Sequence, residues 1–283
     1  MKNQPKKTTM LLAIVAAIIV LFSAGCRDYD NYELIEKDVT ISGFIKGIII
    51  DGPWEVSVTQ DSENNSATIQ YNVPSHKIKA ELRPNGYLHL KLYNLTNYRN
   101  VKLKANIRAA ALENIEGSGA AGIYTYGIFL TSSDITLSGA STIDGFLGMG
   151  DYIKMNLSGS SKLKKCQFRG KRIDATLSGA SDATFAQAEV NRCTVNGSGA
   201  STFRASGFAE ETNFTGSGAS YFYTFELESE NLDIELSGAS NGEVTVNHKI
   251  KGNLSGASIL RYKKAEDIKN VTITGGSKII KVD

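Results

Sequence analysis

The sequence predicts an all-β protein built as a parallel β-helix, a solenoid of coils about 20 residues long. Three observations carry this. First, from residue 117 onward a Ser-Gly-Ala-Ser tetrapeptide, or a close variant, recurs with its first glycine at Gly119, Gly139, Gly159, Gly179, Gly199, Gly218, Gly238, Gly256 and Gly275. The intervals are 20, 20, 20, 20, 19, 20, 18 and 19 residues, and a fixed period of that size is the mark of stacked structural repeats. Second, the residues before each glycine alternate strictly. Leu137, Leu157, Leu177, Leu236, Leu254 and Ile273 stand two places before it, and Ile115, Ile135, Met155, Val195, Phe214 and Ile234 four places before it. Between them stand polar residues such as Thr136, Asn156, Thr176 and Asn196. A period of two is that of a strand with one buried face. Third, all four prolines, Pro5, Pro53, Pro74 and Pro84, precede residue 85. Proline donates no hydrogen bond, so its absence from the repeats is what an unbroken ladder requires.

Residues 1–25 read as a secretory signal. Lys2, Lys6 and Lys7 form a positive start, and Met10 to Phe22 is an apolar run of 13 residues. That run is too short to cross a bilayer core of ~30 Å at ~1.5 Å per residue. Ser23-Ala24-Gly25 then leads into Cys26, an ending that resembles a bacterial lipobox, in which the cysteine becomes the lipidated first residue. An ordinary signal cut nearby is the alternative. Residues 26–37, beginning Arg27-Asp28-Tyr29-Asp30, read as a polar tether; acidic residues there resemble the surface-export signal of some Gram-negative lipoproteins.

Residues 38–112 have the same strand-forming style with a weaker period: Ile48–Ile50, Val56-Ser57-Val58, Ile69 to Val73, Leu88 to Leu92 and Val101 to Leu103. They are expected to be either irregular early coils or a small β cap over the first edge, because an open edge invites pairing with other chains. Residues 113–283 are the regular repeats. Two short strands and two turns are expected in each coil, with a second buried column four places after the glycine (Ile123, Ile143, Leu163, Phe203, Phe222) and a third nine after it (Phe168, Ala188, Phe208, Leu227). Such coils bury an apolar face only by pairing with their neighbours in parallel. The corner glycines fit because glycine takes positive φ and turns tightly.

These features resemble the auto-transporter adhesin, head GIN domain family of secreted bacterial proteins. The likeness rests on the entry segment from Ile41-Ser42-Gly43-Phe44 to Gln60 and on the repeated Gly-Ser-Gly-Ala-Ser corners, and it spans residues 38–280. It implies a β-helical fold like that of pectin lyases, no recognised catalytic residues, and a role in cell adhesion inferred by analogy.

Composition narrows the function further. The chain has 31 Lys and Arg against 29 Asp and Glu, and without Lys2, Lys6 and Lys7 the balance is 28 against 29. That removes the electrostatic basis for nucleic-acid binding. Three cysteines make no disulfide framework, and His76, His89 and His248 are too scattered to suggest a metal site. Cys166 and Cys193 fall on different strands of adjacent coils and are expected as buried thiols. The glycine-rich run Gly145 to Gly150 has a strand after it where a phosphate loop needs a helix, and the corner serines have no histidine at fixed spacing. No catalytic residue and no cofactor is therefore assigned. An acidic group (Glu226, Glu228, Glu230, Asp233, Glu235) and a basic one (Lys162, Lys164, Lys165, Arg169, Lys171, Arg172) read first as solvated faces.

The candidate ligand surface is Tyr124, Lys164, Arg204 and Tyr223, which share one outward phase five places after the corner glycine, together with Tyr221. Aromatic and cationic groups in a line suit an extended polymer such as an acidic polysaccharide. The reading is thus a non-enzymatic, lipid-anchored envelope protein, outer-membrane, surface-exposed or periplasmic, that binds a glycan or a cell-surface protein. The alternatives are a carbohydrate-active enzyme on the same fold and a structural or sensory component whose coil ends self-associate. One prediction follows from the lipobox: Cys26→Ser leaves the chain unprocessed and unlabelled by a fatty-acid analogue, and equal labelling of both forms would reject the assignment.

Overall fold

The structure, a computed structural model, describes residues 32–94, 100–126 and 129–283. Cys26, the signal segment and the start of the tether lie outside them. Seven strands precede the regular repeats: β1 (Ile35–Asp38), β2 (Gly47–Asp51), β3 (Glu55–Gln60), β4 (Ser66–Tyr71), β5 (Ile78–Leu82), β6 (Tyr87–Leu92) and β7 (Leu103–Ala109). Then come β8 (Leu112–Ser118), β9 (Gly122–Tyr126), β10 (Phe129–Leu137), β11 (Thr142–Leu157), β12 (Lys162–Leu177), β13 (Asp182–Gly197), β14 (Thr202–Gly216), β15 (Tyr221–Leu236) and β16 (Asn241–Leu254). The chain ends in β17 (Ile259–Lys264), β18 (Asp267–Ile273) and β19 (Lys278–Lys281). All join one hydrogen-bonded network, a parallel β-solenoid.

The corner sets the register. Each repeat glycine has φ between +66° and +74°, a region that side chains with a Cβ seldom adopt. Its carbonyl accepts the N–H of the residue after the next coil's glycine: Ala140 from Gly119, Ala180 from Gly159 and Ala219 from Gly199, at 2.7 Å. From Gly139 onward, a Cβ on any of these glycines would lie no more than 2.8 Å from the previous corner's carbonyl oxygen. Two independent requirements, backbone angle and stacking clearance, therefore coincide on one residue type.

In the central coils only this corner interrupts the strands. β11, β12, β13 and β15 each run 16 residues from one corner to the next, where the sequence suggested two short strands and two turns. The second bend is a bulge inside the strand, made by a residue of positive φ such as Gly145, Lys165 or Gly207. The ladder slips there, between Leu163 and Cys166 and between Phe185 and Ala188. Each coil thus has three sides: one before the corner, one after it, and a third beyond the bulge.

The column two places before the corner is buried, as at Leu137, Leu157, Leu177, Leu236 and Leu254. Its glycines are compensated from across the core. A Cβ on Gly216 would lie 2.8 Å from the Phe222 ring and from Leu236, and one on Gly197 3.3 Å from Phe222. Phe203, Phe214 and Phe222 fill the vacated space as a ladder, with Phe214 and Phe222 stacked at 5.1 Å. Two apolar residues depart from expectation. Ile273 is exposed because β18 belongs to the last coil and has a paired neighbour on one side only. Phe208 is 41% exposed although it stands nine places after its glycine. Its coil is one residue short, so Gly207 pairs with Ala188 in the inward column and Phe208 pairs with Glu189 facing out. A one-residue slip exchanges the two faces of a strand.

The first strands do not stack in chain order. β2 pairs in parallel with both β6 and β8, and β3 with both β7 and β9. The β2–β3 coil, with Gly52 at its corner, therefore sits between a coil made later, β6–β7, and the first regular one. Beyond it β4 runs antiparallel on β7, β1 on β4 and β5 on β6. Residues 32–112 contain both coil-forming and end-covering strands. Cys166 and Cys193 are free and buried in the core, and burial pushes the Cys193 thiol up to about 12.

Three outcomes are expected. Leu157→Asp places an unpaired charge in a sealed column and costs at least ~3 kcal/mol, whereas Asn156→Asp on the outer face changes stability by under ~0.5 kcal/mol; thermal or urea unfolding measures both. A thiol reagent at pH 8 leaves Cys166 and Cys193 unmodified in the native protein and labels both in denaturant. Because the folded Cys193 holds its proton above the ordinary thiol range, it lowers stability as pH rises from about 9 toward 12.

Candidate functional site

The side after the corner carries the residues singled out from the sequence. Its strand buries the position four after the glycine, Phe203 and Phe222 among them, so positions three and five face solvent as two parallel columns. The ladder pairs Tyr124 with Asp144 and Asp144 with Lys164. Further along it pairs Thr184 with Arg204, Arg204 with Tyr223, Tyr223 with Glu243, and Glu243 with Arg261. Tyr221 stands in the neighbouring column between Thr202 and Asn241.

Around Tyr223 these columns form an ordered cluster. The rings of Tyr221 and Tyr223 lie parallel, 7° apart with centroids at 5.7 Å. The Arg204 guanidinium sits over the Tyr223 ring at 4.9 Å. It is held there by Asp182 in the preceding coil: Arg204 Nη1 donates to Asp182 Oδ2 at 2.8 Å, and Thr184 Oγ1 donates to Oδ1 of the same carboxylate at 3.3 Å. With both oxygens engaged, the carboxylate orients the guanidinium plane against the ring. An aromatic face with a fixed polar border can stack on the C–H face of a sugar ring and hydrogen-bond its hydroxyls.

The structure gathers Arg204, Tyr221 and Tyr223 and leaves the other two apart. Tyr124 is in the same column but five coils from Tyr223, ~24 Å at the ~4.8 Å strand spacing. Lys164 lies two coils from Arg204, beside the ladder slip, and Asp144 separates it from Tyr124. Asp144 also takes the Lys165 ammonium at 3.3 Å. The column is mixed in charge rather than basic.

Most members of the acidic and basic groups have ionic or hydrogen-bonding partners. Glu228 meets Lys264 at 2.9 Å, Glu230 meets His248 at 2.9 Å and Asp233 meets Lys251 at 3.0 Å. Lys171 meets Asp151 at 2.7 Å and Arg172 meets Asp174 at 3.0 Å. Asp174 thus takes its partner from its own strand, although Lys154 is its cross-strand neighbour. Exposed pairs of this kind add little stability. Among the described residues no group of His, Cys, Asp and Glu could hold a metal ion.

Two concave features were missed from the sequence. A groove of about 180 Å³ on the third side is lined by Leu147, Met149, Phe168, Arg169, Gln187 and Glu189. A cleft of about 410 Å³ opens at the covered end between β4 and β5, against Val39, Ile69, Tyr71, Ile78 and Leu82. Neither follows a sequence period, since one depends on a bulge and the other on strands stacked out of order.

The fold and the site together define a parallel β-solenoid with an aromatic cluster on one side face. The chain belongs to the family described as "Putative auto-transporter adhesin, head GIN domain", whose model matches residues 45–265. It is similar to a "putative adhesin" from Parabacteroides merdae ATCC 43184, with 16% identity, a TM-score of 0.65, and coverage of 89% of this chain and 98% of that one. Two proteins of Parabacteroides distasonis ATCC 8503 are similar over the same shares of each chain: a "Putative lipid binding protein" (14% identity, TM-score 0.66) and a "putative adhesin" (17% identity, TM-score 0.63). At these identities the likeness shows the fold. No curated protein matches the chain.

Proposed function

We propose that this protein is an adhesin-like component of the cell envelope, tethered through a lipidated Cys26, which binds a glycan on its side face without turning it over. The observation that carries the reading is the Tyr221–Tyr223 pair with Arg204 fixed over one ring by Asp182. Arranging an aromatic face, a cation and its orienting carboxylate on three successive coils costs side-chain freedom and does nothing for the core, so the cluster makes physical sense as a contact surface. Because Asp182 neutralises Arg204, the cluster suits neutral sugars and mixed glycans as well as acidic ones. The family's adhesin description supports a role at a surface.

The test begins with a glycan array to find a ligand. Tyr221→Ala with Tyr223→Ala is then expected to weaken retention on that glycan by about 10- to 100-fold, as loss of a central aromatic contact does. Tyr124→Ala, five coils away, changes it by less than about threefold. Unchanged retention of the double variant removes this face as the site, and release of shortened sugar by the unmodified protein overturns the non-enzymatic reading.

A further inference from the structure

The third side carries a pattern that the proposed glycan face does not use. Between residues 130 and 270 the exposed large apolar side chains are Leu147, Met149, Phe208 and Tyr223. Three of these four lie on the third side. Met149 is 55% exposed and pairs in the ladder with Arg169; Arg169 pairs with Glu189, and Glu189 with Phe208. One outward column therefore reads apolar, positive, negative, apolar over four successive coils. Beside it Leu147, Gln167 and Gln187 form the next column, and the shallow groove runs between them.

Such a column is complementary to itself when reversed. Rotating a second copy by half a turn about an axis along the strands makes the two rods antiparallel and keeps this column facing its own counterpart. Met149 then meets Phe208 of the other copy, Arg169 meets its Glu189, and Gln167 meets its Gln187. The two charges already pair within one chain at 2.5 Å. Two reversed copies turn that pair into a closed ring of four alternating charges, which keeps every charge partnered as water is excluded. The apolar ends cover each other. Rods placed side by side in parallel would instead set Arg169 against Arg169.

We propose that this side is a self-association surface, through which two copies pair side by side with their rods antiparallel. The interface is isologous, each contact occurring twice. Four coils span ~14 Å of rod, below the extent of a permanent interface, so the pairing is weak and reversible. It uses a different side from the tyrosine cluster and stands whether or not a glycan binds there.

Directed crosslinking tests it. In the full chain carrying Cys26→Ser, the thiols of Cys166 and Cys193 are buried, and Met149→Cys and Phe208→Cys are introduced into separate preparations. Mild oxidation of the mixture is expected to give a 149–208 crosslinked dimer, identified by mass spectrometry of the linked peptides. Either variant alone gives at least fivefold less, because like positions are offset by three coils, ~14 Å, beyond disulfide reach. Charge variants separate contacts between copies from the pair within one. With Arg169→Glu in both preparations, like charges face each other and the 149–208 yield falls at least fivefold. With Arg169→Glu in the Met149→Cys chain and Glu189→Arg in the Phe208→Cys chain, the pairs within each copy are repulsive but both pairs between copies are attractive, and the yield returns. Crosslinking of 149 to 149 as readily as to 208, no 149–208 dimer at all, or indifference to the charge pattern would each overturn the proposal.

Discussion

Every coil is fixed to its neighbour at the glycine corner, where one carbonyl accepts the next coil's N–H at 2.7–2.8 Å and leaves no space for a side chain. The contact is made of backbone alone, so it can repeat without regard to what the rest of the coil contains. It holds the coils at a constant height and phase. All the columns, buried or exposed, inherit their alignment from it. The tyrosine cluster depends on the same alignment, because Asp182, Arg204 and Tyr223 come from three successive coils and meet only while their corners are in step.

A rigid corner also determines where irregularity goes. The 19-residue interval ending at Gly218 lacks one residue, yet Ala219 still donates to the Gly199 carbonyl at 2.7 Å. The shortfall is taken up at the bulge, where Gly207 moves into the inward column and Phe208 turns outward. Compensation inside the core works the same way. Glycines in the leucine column leave volume that Phe203, Phe214 and Phe222 occupy, so shape is conserved across the stack while individual positions change.

Much of this was legible in the sequence because stacking writes each three-dimensional column as a fixed offset in the chain. The corners, the leucine column and the outward phase shared by Tyr124, Arg204 and Tyr223 could be read directly. What was hidden depends on departures from the period. Phe208 looked buried because counting from its corner assumes a full-length third side. The role of Asp182 was invisible because it acts across two columns on different coils. The order of the first coils was beyond reach for a different reason: β2–β3 pairs with strands made later on both sides, and no local pattern records that a chain returns to cover its own beginning.

The entry end and the middle of the rod differ in how they take a mechanical load. At residue 35 the chain enters through β1, a strand of four residues held by four antiparallel pairs to β4. Each central strand is instead engaged on both edges, with 14 partners on one side and 13 on the other for β12. Tension applied ahead of β1 is therefore borne first by a ladder of only four pairs, which opens pair by pair and leaves the coils behind it intact. The entry strand acts as a fuse: it yields early, lets out chain, and shields the side face from the pull.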